Sequence, residues 1–93
     1  MTHRALFEPA ASRELTEAAD FYDLQQLGLG TAFLDPVQAA LLAVAENPEA
    51  FPLLLGKTRK RVVSRFPYSV LYWFDGTVVH VSAIAHHGQR PDY

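Results

Sequence analysis

Asp75 and Gly76 stand between two runs of strand-forming residues, 69–74 (SVLYWF) and 77–84 (TVVHVSAI). An Asp-Gly pair in that setting is the strongest short-range hairpin signal, because glycine accepts the left-handed backbone that tight hairpin turns demand. Two strands are therefore antiparallel neighbours, and the rest of the chain must be arranged around them. Residues 60–66 supply a further strand, which turns at Phe66, Pro67 and Tyr68 into the first strand of the hairpin. The stretch 57–74 (KTRKRVVSRFPYSVLYWF) thus holds the middle of a sheet. It also carries Lys57, Arg59, Lys60, Arg61 and Arg65, five of the eight Lys and Arg residues. Two readings of that row stand: cations presented to a polyanion, or charges that keep a solvated edge strand from aggregating.

The remaining elements follow from periodicity. Residues 3–8 (HRALFE) form a short first strand, with Ala5 and Phe7 on one face and Arg4 and Leu6 on the other. Pro9 stops it and suits the first turn of a helix. Over residues 10–27, Ala10, Ala11, Leu15, Ala18, Ala19 and Tyr22 recur at three- and four-residue spacing, the stripe of an amphipathic helix. Glu14, Glu17, Asp20 and Asp23 read as its solvated face. Gly28 and Gly30 break the chain. Residues 31–46 form a second helix along Phe33, Val37, Leu41 and Val44, starting near Thr31 and bending at Pro36; Asn47 and Pro48 close it. The short link makes the two an antiparallel hairpin. Residues 49–56 are an apolar connection, with Phe51 plugging the helix–sheet interface and Leu53 to Leu55 briefly extended. The order is β-α-α-β-β-β: an α+β fold with a helical hairpin on one face of a small antiparallel sheet, the other face left bare.

Ninety-three residues make one domain. The absence of cysteine excludes disulfide and thiolate chemistry. No apolar run reaches about 18 residues, so no membrane span is expected, and the N-terminus lacks the apolar region of a signal peptide; the expected setting is the cytoplasm. Charge is uneven: residues 1–50 hold two basic and eight acidic residues, residues 51–93 six and two. That asymmetry favours a polyanion-facing side, while the overall net charge of −2 opposes it. No P-loop, dinucleotide fingerprint or metal-ligand spacing is present, and no cofactor is expected.

The stretches EAADFYDLQQLGLGTAFL, ENPEAFPLL, RFPYSVLYWF and VVHVSAIAHHGQRPDY, in that order, resemble the RelE/ParE family of bacterial toxins from type II toxin–antitoxin pairs, the plasmid-stabilisation type. The likeness spans nearly the whole chain. It implies a small sheet with a helical hairpin and a cognate antitoxin partner that wraps and silences the toxin. The family divides in function. One branch cuts messenger RNA on the ribosome; the other inhibits DNA gyrase and does no chemistry.

Metal-free RNA cleavage needs a group to take the 2′-hydroxyl proton, a cation at the phosphate and an acid for the leaving oxygen. The candidates for such an endoribonuclease are Lys60, Arg61, Arg65, Arg90 and Tyr93, with His87 or its neighbour His86 carrying the proton. In the cleaving branch an Arg follows the corner tyrosine; here that position is Ser69. Each candidate has a plainer reading. A histidine at a strand end is often just hydrogen-bonded, Arg90 can pair with Asp92 or the terminal carboxylate, and His80 is structural. Trp73, Tyr72 and Phe74 could stack bases or form the sheet core and its rim. The expected functional classes are therefore an RNA-cutting toxin, a gyrase-binding toxin, and a degenerate toxin fold kept as a binding module. For the first, the cations must converge on the bare face of the sheet beside Tyr93.

Overall fold

A computed structural model describes residues 2–88. The elements are β1 (Arg4–Phe7), α1 (Pro9–Gln25), α2 (Leu29–Glu46), β2 (Leu53–Leu55), β3 (Thr58–Val62), β4 (Tyr68–Phe74) and β5 (Val78–His86). They form one five-stranded sheet in the order β1-β5-β4-β3-β2. The α+β layout expected from the sequence holds, with two differences.

The sheet is mixed, because β1 pairs parallel to β5 from Arg4↔Val78 to Phe7↔Val81. β1 leaves directly into α1 through Pro9 and no hairpin ties it to a neighbour, so nothing local dictates its direction. The second difference is a fifth strand. The brief extension at Leu53–Leu55 pairs antiparallel with β3 at a turn through Gly56, whose φ is +57°, and so becomes the sheet's far edge.

Residues facing one another on neighbouring strands share a face of the sheet. Val70, Tyr72, Val79, Val81 and Ile84 face the helices, and Ala11, Ala18, Phe33, Val37, Ala40 and Val44 meet them from above. Ala5 and Phe7 pack on this core from β1. α2 is long and apolar enough to cross a membrane by length and composition, at a mean hydropathy of 1.2. Its line Phe33, Val37, Ala40 and Val44 is almost wholly buried against the sheet, which is how a core helix is used. Pro36 lies inside α2, which starts at Leu29.

The helical hairpin is locked at its tip. Gly28 takes φ +91°, a conformation that favours glycine. The Asp23 side chain accepts the Gly30 N–H at 2.8 Å. α2 passes so close to α1 here that a Cβ on Gly30 would lie 2.5 Å from the Ala19 carbonyl oxygen. Beneath the hairpin, Tyr22 and Phe33 meet Phe66 and Tyr68 with ring centroids 5.0 to 5.2 Å apart, apart from Tyr22 and Tyr68 at 6.2 Å. That aromatic group anchors the turn between β3 and β4 to the helices.

Candidate functional site

The corner begins where β3 ends at Val62, earlier than the alternation of residues 60–66 suggests. Val63 donates its N–H to the Tyr68 carbonyl at 2.9 Å, closing a loop in which Arg65 takes φ +69°. Few non-glycine residues adopt that left-handed conformation; here it puts Arg65 on the exposed outside of the turn. Ser69 follows Tyr68 and is 2% exposed. Its hydroxyl is hydrogen-bonded to His87 Nε2 at 2.7 Å, and the His87 N–H donates to the Pro67 carbonyl at 2.8 Å. His87 thereby clasps the end of β5 to the corner. The position that would carry an arginine in an RNA-cutting toxin is filled by a small buried hydroxyl with its bond already made.

Strand alternation then divides the basic row. Lys60 faces Leu71 and Arg61 faces Val70. Val70 lies on the helical side, so Arg61 does too, and Lys60 points to the bare face. Arg61 lies with its guanidinium carbon 5.0 Å from the Phe51 ring centre, and its buried Nε has no hydrogen-bond partner. Arg59, also on the helical side, donates to the Phe51 carbonyl at 2.8 Å. Of the expected site residues, Lys60 stands on the bare face, Arg61 against the helical layer, Arg65 on the turn and His87 on Ser69. Arg90 and Tyr93 lie outside the described residues. The convergence of cations on one face does not extend to Arg61, because residues adjacent along a strand point to opposite sides.

The aromatic side chains offer little to a base. Trp73 has Lys57 Nζ 3.9 Å from its ring centre, and its ring stacks on His80 at 4.1 Å and 12°. Tyr72 is fully buried and donates its hydroxyl to the Pro48 carbonyl at 2.7 Å. Phe74 meets His3 edge-on at 4.8 Å. His86 stands edge-on to Tyr68 at 5.0 Å, and its Nδ1 accepts the Gly88 N–H.

Sequence reasoning missed the array at the hairpin end. Asp75 pairs with Val78 through the Asp75 N–H, so the two-residue turn is Gly76 and Thr77, one step later than expected. The Asp75 carboxylate accepts the N–H groups of Thr77 and Val78 and pairs with His80 at 2.8 Å. The His80 bond, then those two N–H groups, lower its pKa to about 2. A turn on Asp75 and Gly76 would have set Trp73 opposite Val78; the shift to Gly76 and Thr77 brings it opposite His80, so the array was not within reach of the sequence. A second missed residue is Glu14, read as solvated, whose Oε1 accepts the Ile84 N–H at 2.9 Å.

Among the described residues no three His, Asp or Glu side chains cluster as a metal site. Two shallow hollows mark the described surface. One of about 180 Å³ lies between α1 and β5, and one of about 330 Å³ is lined by Glu49, Leu53, Lys57, Arg59 and Phe74. Both lie open to solvent, whereas small-molecule sites of about 300 to 1,000 Å³ usually enclose most of their ligand.

Residues 5–91 match a family described as the ParE toxin of type II toxin–antitoxin system, parDE. No curated protein matches. Among solved structures, a chain from "Chromosomal ParDE TA system from P. aeruginosa" superposes with a TM-score of 0.80 at 12% identity, over 91% of this chain and 96% of that one; at that identity the likeness speaks to the fold. With the family match running from the first strand almost to the end, the chain belongs to the ParE toxin family of type II toxin–antitoxin systems.

Proposed function

We propose that this chain blocks growth by binding DNA gyrase, without cutting RNA, and that a cognate antitoxin neutralises it in the cytoplasm. The observation that carries this reading is Ser69. The corner position is 2% exposed and tied to His87, so it supplies no cation to a phosphate. Stabilising charge in the transition state is commonly the largest part of such catalysis, and the split of Lys60 from Arg61 weakens the substitute set further. Trp73 and Tyr72, with their faces covered, also lack the free rings on which unstacked bases usually rest. The antitoxin follows from the family's place in two-component systems and from the ParDE assembly of its structural neighbour.

RNA cleavage is the second reading, favoured by the concentration of basic residues in the stretch 57–65. It assigns Lys60, Arg61, Arg65, Arg90 and Tyr93 to the phosphate and His87 to the proton. The two readings separate on ribosomes translating a defined message. Under saturating protein the message is expected to stay intact. Cutting that disappears in Arg90→Ala and Tyr93→Phe, with melting unchanged, would establish the enzyme instead.

A further inference from the structure

β1 covers the outer edge of β5 only as far as Val81, while β5 runs on to His86. Register shows which groups that last stretch turns outward. Tyr68 gives its carbonyl to Val63 and its N–H to Phe66, so its partner across the strands, His86, receives no backbone bond from it. His86 and Ile84, two residues apart, therefore point their N–H and C=O groups away from β4. An outward row of this kind invites another strand, and proteins blunt it with charge or cover it. Here the cover is a single carboxylate: Glu14 reaches from α1 and takes the Ile84 N–H.

Beside this edge runs the hollow between α1 and β5. Ala18, Tyr68 and Ile84 form its floor, Phe21 one wall, and Glu14 and Glu17 its rim. Phe21 is 53% exposed, and Leu24, next along the same helix, is 85% exposed. Among the described residues neither Glu14 nor Glu17 lies within salt-bridge distance of a cation, although Arg13 stands one turn before Glu17 on α1 and His86 lines the same hollow. An apolar floor, an acidic rim and a strand edge whose Ile84 N–H is held by a side chain and not by a strand lie within one groove.

We propose that the β5 edge at Ile84 and His86 takes an extended, lysine- or arginine-rich segment of the antitoxin as an added strand. A carbonyl of that strand replaces Glu14 as acceptor of the Ile84 N–H, and the freed carboxylate turns, with Glu17, to the incoming cations. Apolar side chains at alternate positions of the segment rest on Tyr68 and Phe21. Main-chain bonds supply register and the acidic rim supplies selectivity, the usual division in strand addition. This inference rests on the antitoxin reading above.

The probe is the synthetic peptide Val-Lys-Val-Lys-Val-Lys-Val, with its Val-Glu counterpart as control, titrated into the full chain at low salt and followed by amide NMR. The Lys peptide is expected to shift Ile84 and His86 and slow hydrogen exchange at His86. The Glu peptide is expected to leave both unchanged. Glu17→Lys, which removes no internal hydrogen bond, should weaken the Lys peptide about tenfold or more. Shifts confined to the β2 edge or the bare face, a bound peptide that becomes helical, or binding indifferent to Glu17→Lys would overturn the assignment. The protein encoded in the neighbouring reading frame is titrated in parallel. Its failure to bind the wild-type chain would remove the antitoxin reading itself, whereas binding unaffected by Glu17→Lys would remove only this groove.

Discussion

At the scale of single residues, two side chains carry loads that their exposure or chemistry makes measurable. The Tyr72 hydroxyl is buried and satisfies the Pro48 carbonyl. Tyr72→Phe leaves that carbonyl unpaired and should cost about 1–2 kcal/mol in urea unfolding. Burial, partly offset by Arg59, raises the Tyr72 pKa above its ordinary 10.0. A tyrosine raised on folding is neutral in the native state, so stability falls as pH rises beyond the unfolded value; the Phe variant should lose part of that alkaline sensitivity. Asp75 has the opposite sign. Its carboxyl is lowered from 3.8 to about 2, so its contribution is complete above about pH 4 and fades as pH falls toward 2. In Asp75→Asn the unfolding midpoint should accordingly depend less on pH between 4 and 2 than in the wild type. An unchanged pH dependence would show that His80 and the Thr77 and Val78 N–H groups do not hold the carboxylate in solution.

At the scale of elements, the helical hairpin depends on a close approach. Gly30→Ala forces a Cβ against the Ala19 carbonyl and the Asp23 carboxylate that holds the Gly30 N–H. Alanine is the better helix former by about 1 kcal/mol, yet the crowding is with backbone, which yields little. The variant should be less stable by about 1–3 kcal/mol, seen as a lower melting temperature. The same elements show what sequence reveals and what it hides. Both helices, the final hairpin and the Phe66 to Tyr68 corner were legible, because each announces itself through apolar spacing or turn residues close in the chain. β2 was read only as a brief extension, since three leucines between Pro52 and Gly56 have no alternation to display. The parallel pairing of β1 with β5 depends on partners more than seventy residues apart and left no local mark. For the candidate site, the weakness of the corner was legible at Ser69. The turning of Arg61 toward Phe51 follows from strand alternation once β3 is known to begin at Thr58.

At the scale of the whole molecule, one half is acidic and the other basic, and the fold puts that difference to use. α1 sets carboxylates along the β5 edge, while β3 shares its cations between the bare face, the Phe51 side and the turn. A molecule arranged this way is better suited to holding protein surfaces than to gathering charge around one phosphate. On the reading proposed above, growth arrest comes from occupying gyrase. The most direct measurement is a titration of the purified chain into gyrase acting on relaxed plasmid, with ribosome-bound message scored in a parallel tube. The account predicts that supercoiling falls in proportion to the toxin added and recovers when antitoxin is supplied, while the message stays whole. Full supercoiling beside a cleaved message would contradict it.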